Sequence, residues 1–345
     1  MSGPTRVALA LGGGGARGYA HIGVIQVLEE RGYEIVDIAG SSMGAVIGGL
    51  HAAGGLDAYT AWVRPLTQRE VLRLLDPSLR GPGLIRAEKV LAKVSEILDG
   101  AVIEDLPIGF TAVATDLLTG KEVWFQRGRV DVAIRASMAL PSFITPVMLD
   151  GRLLADGGLL NPIPIVATAA SSADLTVAVS LSEDQPASTA STWAADPDHV
   201  PIGEGSPSLA EDDPAATEDG LSLVEDALER TRRTAAHRQD RELMRTFTNW
   251  LTSSRGSTPG DDPAMPVPED DPFGPLPAGM RTVDVMQLSL EALQRSIKRY
   301  RLASFPPDVL ITIPKGVCRT LDFHRAEEMI ALGREQASEA LDAAG

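Results

Sequence analysis

Ile35-Val36-Asp37-Ile38-Ala39-Gly40-Ser41-Ser42-Met43-Gly44 is the stretch on which the reading of this chain turns. Residues 35–39 are an apolar run of the kind that forms a buried strand, and residues 45–53 continue as a helix. The five residues between match the nucleophile elbow G-x-S-x-G, in the strand-to-helix setting that the motif requires. A side chain held on so sharp a turn sits on strained backbone. Gly40 and Gly44, two residues either side of Ser42, let the turn close without Cβ clashes. The helix that follows aims its amide end at the turn, which favours negative charge developing there. Ser42 is therefore the candidate nucleophile.

Upstream, residues 7–11 form a second short apolar run, followed at once by Gly12-Gly13-Gly14-Gly15-Ala16-Arg17-Gly18. Ala20, Val24, Val27 and Leu28 then recur at helical spacing, and Gly32 closes that helix. Strand, helix, strand and helix within about 50 residues begin an α/β domain with a parallel sheet. Three readings of the glycine loop compete. A Walker loop needs Lys-Ser or Lys-Thr where Tyr19 and Ala20 stand. A dinucleotide fingerprint is matched in spacing by Gly13, Gly15 and Gly18, with Asp37 roughly 20 residues on. Asp37, however, lies inside its strand, and that strand ends in the serine elbow. The third reading uses both loops: glycine amides converge into an oxyanion pocket beside Ser42.

Downstream, residues 108–114, 122–125, 175–181 and 309–313 read as strands. Residues 87–98, 130–138 and 323–341 read as helices, with another near Val285, Leu288, Ala292 and Leu293. From 183 to 280 the chain turns acidic and rich in Pro and Ser, as partly disordered segments do, apart from a helical pattern near 221–251. Strand patterns resume after it. The expectation is one α/β domain, 6–182 with 281–341, interrupted by a long insert.

Composition narrows the class of function. With 345 residues, 44% hydrophobic and 23% charged, the chain can bury a sizeable core. A net charge of -16 argues against nucleic acid as a partner. One cysteine, Cys318, forms no internal disulfide or cysteine metal site, and no ligand cluster stands at metal spacing. No cofactor or metal is expected. No apolar run is long enough for a signal peptide or a membrane span, so a cytoplasmic protein, at most peripheral to the membrane, is expected.

The glycine loop with Arg17, the Ser42 elbow and Asp156-Gly157-Gly158 resemble the three motifs of patatin-like phospholipases. Arg135-Ala136-Ser137-Met138-Ala139-Leu140-Pro141 and residues 156–164 resemble the bacterial branch. Gly12 stands where plant members carry an acidic residue. The resemblance implies a three-layer α/β/α fold with a mostly parallel central sheet. It also implies a serine acyl-hydrolase cleaving fatty-acyl esters of phospholipid, lysophospholipid or glyceride. The implied dyad is Ser42 and Asp156, with an oxyanion hole from Gly13, Gly14 and Gly15 beside Arg17. Gly157 and Gly158 let the backbone turn tightly at the acid.

Two alternatives stand beside this. One is a nucleotide-binding protein built on the glycine loop; the other is a catalytically silent lipid-binding protein. A Ser-His-Asp triad would draw on His199, His237 or His324, which follow the acid, while His21 and His51 precede it. Leu243, Phe247, Trp250 and Leu251, with arginines nearby, suggest a transient membrane-surface contact.

Overall fold

Short strands of Val, Ile, Leu and Ala, each ending in glycine or a polar turn, set the architecture. A computed structural model describes residues 3–75, 83–85, 87–183 and 282–344. The expected insert, its helix near 221–251, His199 and His237 lie outside the described residues. The strands are β1 (Arg6–Leu11), β2 (Glu34–Ser41), β3 (Gly83–Ile85), β4 (Gly109–Asp116) and β5 (Lys121–Phe125). They continue as β6 (Ser142–Ile144), β7 (Val147–Leu149), β8 (Arg152–Asp156), β9 (Leu175–Glu183) and β10 (Val309–Pro314). The helices are α1 (Ala20–Glu30), α2 (Met43–Ala52), α3 (Leu56–Val63), α4 (Gln68–Leu75), α5 (Glu88–Leu98), α6 (Val130–Ser137), α7 (Thr282–Ser304) and α8 (Ala326–Ala344).

Eight strands form one sheet in the order β10-β9-β1-β2-β4-β8-β7, with β5 also on β4; β3 and β6 make a separate parallel pair. From β10 to β4 all neighbours are parallel. Such strands are buried on both faces and so read as continuous apolar runs. Alternate residues divide the core. Val7, Leu9 and Leu11 point into the main cluster with α1, α2 and α8. Ala10 and Ala178 face a smaller cluster with Ile163, Ile165 and Leu302 of α7. The result is the expected α/β/α sandwich, with its second outer layer thin. Among the described residues, no helix is long and apolar enough to cross a membrane.

The β7–β8 hairpin escapes the sequence reading, whereas β5, antiparallel to β4, falls at the expected 122–125. The strands β7 and β8 are joined by Asp150-Gly151, both at positive φ (49° and 75°), with Leu149 paired to Arg152. Asp-Gly between strands is a strong hairpin signal, and it marks β7 and β8, for which the sequence reading holds no strand. The helices α3 and α4, eight residues each, also lie outside the expected elements.

α1 and α8 pack backbone to backbone. A Cβ at Gly23 would lie 2.1 Å from the Ile330 carbonyl oxygen, and one at Gly333 would lie 2.0 Å from that of Ala20. The helices must separate to admit a methyl group. Gly333→Ala should therefore destabilise the fold by about 3 kcal/mol, measured by urea denaturation.

Candidate active site

The site is assembled on one edge of β4. On its opposite edge β5 covers residues Ala112 to Asp116 without interruption. The near edge is shared. There β2 pairs through Ser41 opposite Val113, and β8 pairs from Asp156 opposite Ala114. Because β2 runs parallel to β4 and β8 antiparallel, their C-terminal ends meet head to head over two consecutive β4 residues. Ser42 follows one end, and Asp156 is the last residue of the other. Gly157 seals the junction: a Cβ there would lie 2.0 Å from the Val113 carbonyl oxygen.

Ser42 has φ 55° and ψ −124°, a conformation that costs a non-glycine residue about 1–3 kcal/mol. Its surroundings hold it there. A Cβ at Gly40 would lie 2.4 Å from the Gly44 backbone, and one at Gly44 would lie 2.1 Å from the Leu11 carbonyl oxygen. The Ser42 N–H donates to Ser137 Oγ at 2.9 Å, and that hydroxyl donates to the Val113 oxygen at 2.6 Å. Ser137 is fully buried and acts as a clamp between elbow and β4, a role that the motif containing it did not reveal. Ser41 Oγ donates to the Asn161 oxygen at 2.7 Å, tying the elbow to the segment after Asp156.

Asp156 is 2% exposed. Oδ1 accepts the Gly158 N–H at 2.7 Å, and Thr115 Oγ1 holds the Asp156 carbonyl at 3.0 Å. The Ser42 hydroxyl stabilises the carboxylate, although no fully formed hydrogen bond reaches Oδ2. Catalytic hydrogen bonds are often long before substrate engages. Burial pushes this carboxyl up to about 6, against the opposing pull of Ser42 and the Gly158 amide. It is thus a far better proton acceptor near neutrality than an ordinary aspartate.

The glycine loop lies against the elbow: a Cβ at Gly13 would be 3.1 Å from Ser42 Cβ. Its amides are not equivalent. The Gly12 N–H donates to the Val179 oxygen at 3.0 Å and the Gly13 N–H to the Pro162 oxygen at 3.2 Å. Gly13 therefore spends its proton away from Ser42, which narrows the expected three-amide pocket. Among the described residues, the N–H groups of Gly14, Gly15 and Met43 have no acceptor. Arg17, buried beside the loop, donates from Nε to the Gly14 oxygen at 3.2 Å and from Nη1 to the Lys315 oxygen at 3.1 Å. A trans peptide carries its C=O and N–H on opposite sides, so Arg17 turns the Gly15 N–H away from itself. Gly15 borders a cavity that it shares with Ser42.

The histidines go elsewhere. His21 is buried, with Nε2 donating to the Gly12 oxygen at 2.8 Å; burial lowers its pKa to about 4, against that bond. His51 lies 3.8 Å from Glu29, and His324 stands in the 3-10 turn Phe323–Arg325. None of the three bonds to Ser42 or Asp156. Asp37 pairs with Ala8, three residues before the end of β1, so it sits about 10 Å back from the glycine loop. That is the wrong end of the strand for a ribose contact.

A model of the patatin-like phospholipase family matches residues 9–169. An uncharacterized NTE family protein of Mycobacterium tuberculosis is 46% identical over 342 residues, 98% of this chain and 92% of its own. The chain belongs to the patatin-like phospholipase family. A second uncharacterized NTE family protein of that organism is 39% identical over 162 residues, 46% of this chain and 27% of its own. Patatin-like phospholipase domain-containing protein 6 of Mus musculus is 33% identical over 166 residues, 46% of this chain and 12% of its own. Membership implies lipid hydrolase activity.

In this patatin-like phospholipase the raised carboxyl carries a cost in stability. A group whose folded pKa lies above its unfolded value contributes fully below the unfolded pKa, and the contribution is lost as pH rises through about 6. Asp156→Asn should therefore be more stable than the wild type at pH 8, by on the order of 2 kcal/mol, and no more stable at pH 4. Urea denaturation at the two pH values measures both.

Proposed function

We propose that this protein hydrolyses fatty-acyl esters of lipids through a Ser42–Asp156 dyad and an acyl-enzyme. The observation that carries this reading is the meeting of the β2 and β8 ends on β4, which sets a half-buried serine hydroxyl against a buried carboxyl of raised pKa. Asp156 takes the hydroxyl proton as Ser42 Oγ bonds to the ester carbonyl carbon. The carbonyl π electrons move to oxygen, and the N–H groups of Gly14 and Gly15 stabilise the oxyanion. As the C–O bond breaks, the alcohol leaves with the proton from Asp156. Water then attacks the acyl-enzyme and gives its proton to Asp156. Ser42 Oγ takes that proton as the fatty acid departs. Histidine has no part in these steps.

The test uses p-nitrophenyl esters. Ser42→Ala and Asp156→Asn should each lower kcat/KM by about a thousandfold or more, whereas His324→Ala should leave it within a few-fold. A fluorophosphonate should label the wild type and not Ser42→Ala. The rate should rise with pH and level off above an apparent pKa of about 6, as the Asp156 base form fills. Full activity in Ser42→Ala would overturn the nucleophile, and loss of activity in His324→Ala with Asp156→Asn active would replace the dyad by a triad.

A further inference from the structure

Ser42 borders a cavity, partly open to solvent, that is walled by residues of α3, α4 and α5. Ser42 and Gly15 stand at one part of its wall, and much of the rest is aliphatic, including Leu66, Val71, Leu75 and Val90. No charged side chain lines it among the described residues. The described lining offers a phosphate or ammonium headgroup no counter-charge, whereas a hydrocarbon chain loses water wherever it meets these apolar walls.

One wall is built differently. Tyr19 ends the turn that follows the glycine loop, and its ring meets Phe323 edge-on at 5.9 Å. Tyr59 of α3 lies 6.5 Å from Tyr19, and Trp62 lies 5.8 Å from Tyr59. Tyr19 and Tyr59 are almost wholly buried, and Trp62 is half-buried. Each ring packs against its neighbour, so this aromatic series yields less readily than a methionine or leucine wall would.

We propose that this cavity holds the acyl chain of the substrate and that the Tyr19–Tyr59–Trp62 series sets the longest chain accepted. The inference rests on Ser42 as the nucleophile, since that residue places the ester carbon at the cavity. The bound species is a single chain with its carbonyl at Ser42 and its methyl end toward the rings. The headgroup side of the ester stays outside, where the solvent-facing part of the cavity opens.

Two measurements decide it. The first compares p-nitrophenyl butanoate, octanoate and hexadecanoate. Trp62→Ala should raise the hexadecanoate-to-octanoate ratio of kcat/KM by about tenfold, and Val90→Phe, which fills the cavity, should lower it by a similar factor. An unchanged ratio in both variants, with Ser42-dependent hydrolysis intact, overturns the chain gauge and leaves the hydrolase standing. The second needs no catalysis. In Ser42→Ala, ω-bromooctanoate should quench part of the tryptophan emission, and adding Trp62→Phe should remove that part, although three of the four tryptophans remain. Identical quenching with and without Trp62 overturns the cavity as the chain site, whether or not the protein hydrolyses any ester.

Discussion

One carbonyl group of β4 holds the candidate site together. The Val113 oxygen accepts the Ser137 hydroxyl, which in turn accepts the Ser42 amide, and it sits where any side chain on Gly157 would have to go. Around it, Ser41 and Asp156 are paired to consecutive residues of the same strand. The distance between the two candidate side chains is therefore a property of strand register. Register in a sheet buried on both faces is set by the pleat and resists slippage. A hydroxyl and a carboxyl from residues 114 positions apart are held as firmly as neighbours on one strand.

Much of this was legible in the residues. Apolar runs ending in glycine disclose β1 and β2, and the helices after them follow from spacing, because those elements bury themselves locally. The resemblance supplied Asp156, which no local pattern selects. Its partner is chosen by an antiparallel strand entering the sheet from the far side, a contact between distant parts of the chain. The Asp150-Gly151 hairpin was the readable clue to that strand. Thr115 gave no signal and Ser137 only its place in a family motif, since a small hydroxyl in a helix or strand reads as ordinary until its acceptor is known. The glycine loop was read as a unit, yet its amides divide: Gly13 is taken by Pro162, while Gly14 and Gly15 are left over. Only the direction of each peptide plane makes that distinction.

Buried titratable groups at the two loops are tuned in opposite senses by the same cause. Burial raises Asp156 and lowers His21, because in both it penalises the charged form. The fold thus favours a protonated carboxyl and a neutral imidazole. His21, neutral, donates to Gly12 and steadies the loop, and its contribution to stability is full above about pH 6.5 and lost as pH falls through about 4. The stability of the site is squeezed from the acid side by the histidine and from the alkaline side by the aspartate. If Asp156 is the base proposed above, folding and catalysis want different protonation states of it, a conflict common where function trades against stability.

The head-to-head junction on β4 has a consequence for the order in which the molecule becomes competent. Residues 6–52 contain the candidate nucleophile, its strained turn and the glycine loop, and they pair locally as strand, helix, strand and helix. The proton acceptor proposed for Ser42, Asp156, lies outside that unit. The acceptor arrives only when β4 has docked beside β2 and the β7–β8 hairpin has closed against its free end. On the proposed dyad, hydrolytic competence waits for β8 to join β4, and a chain folded only through residue 52 presents a serine without its base.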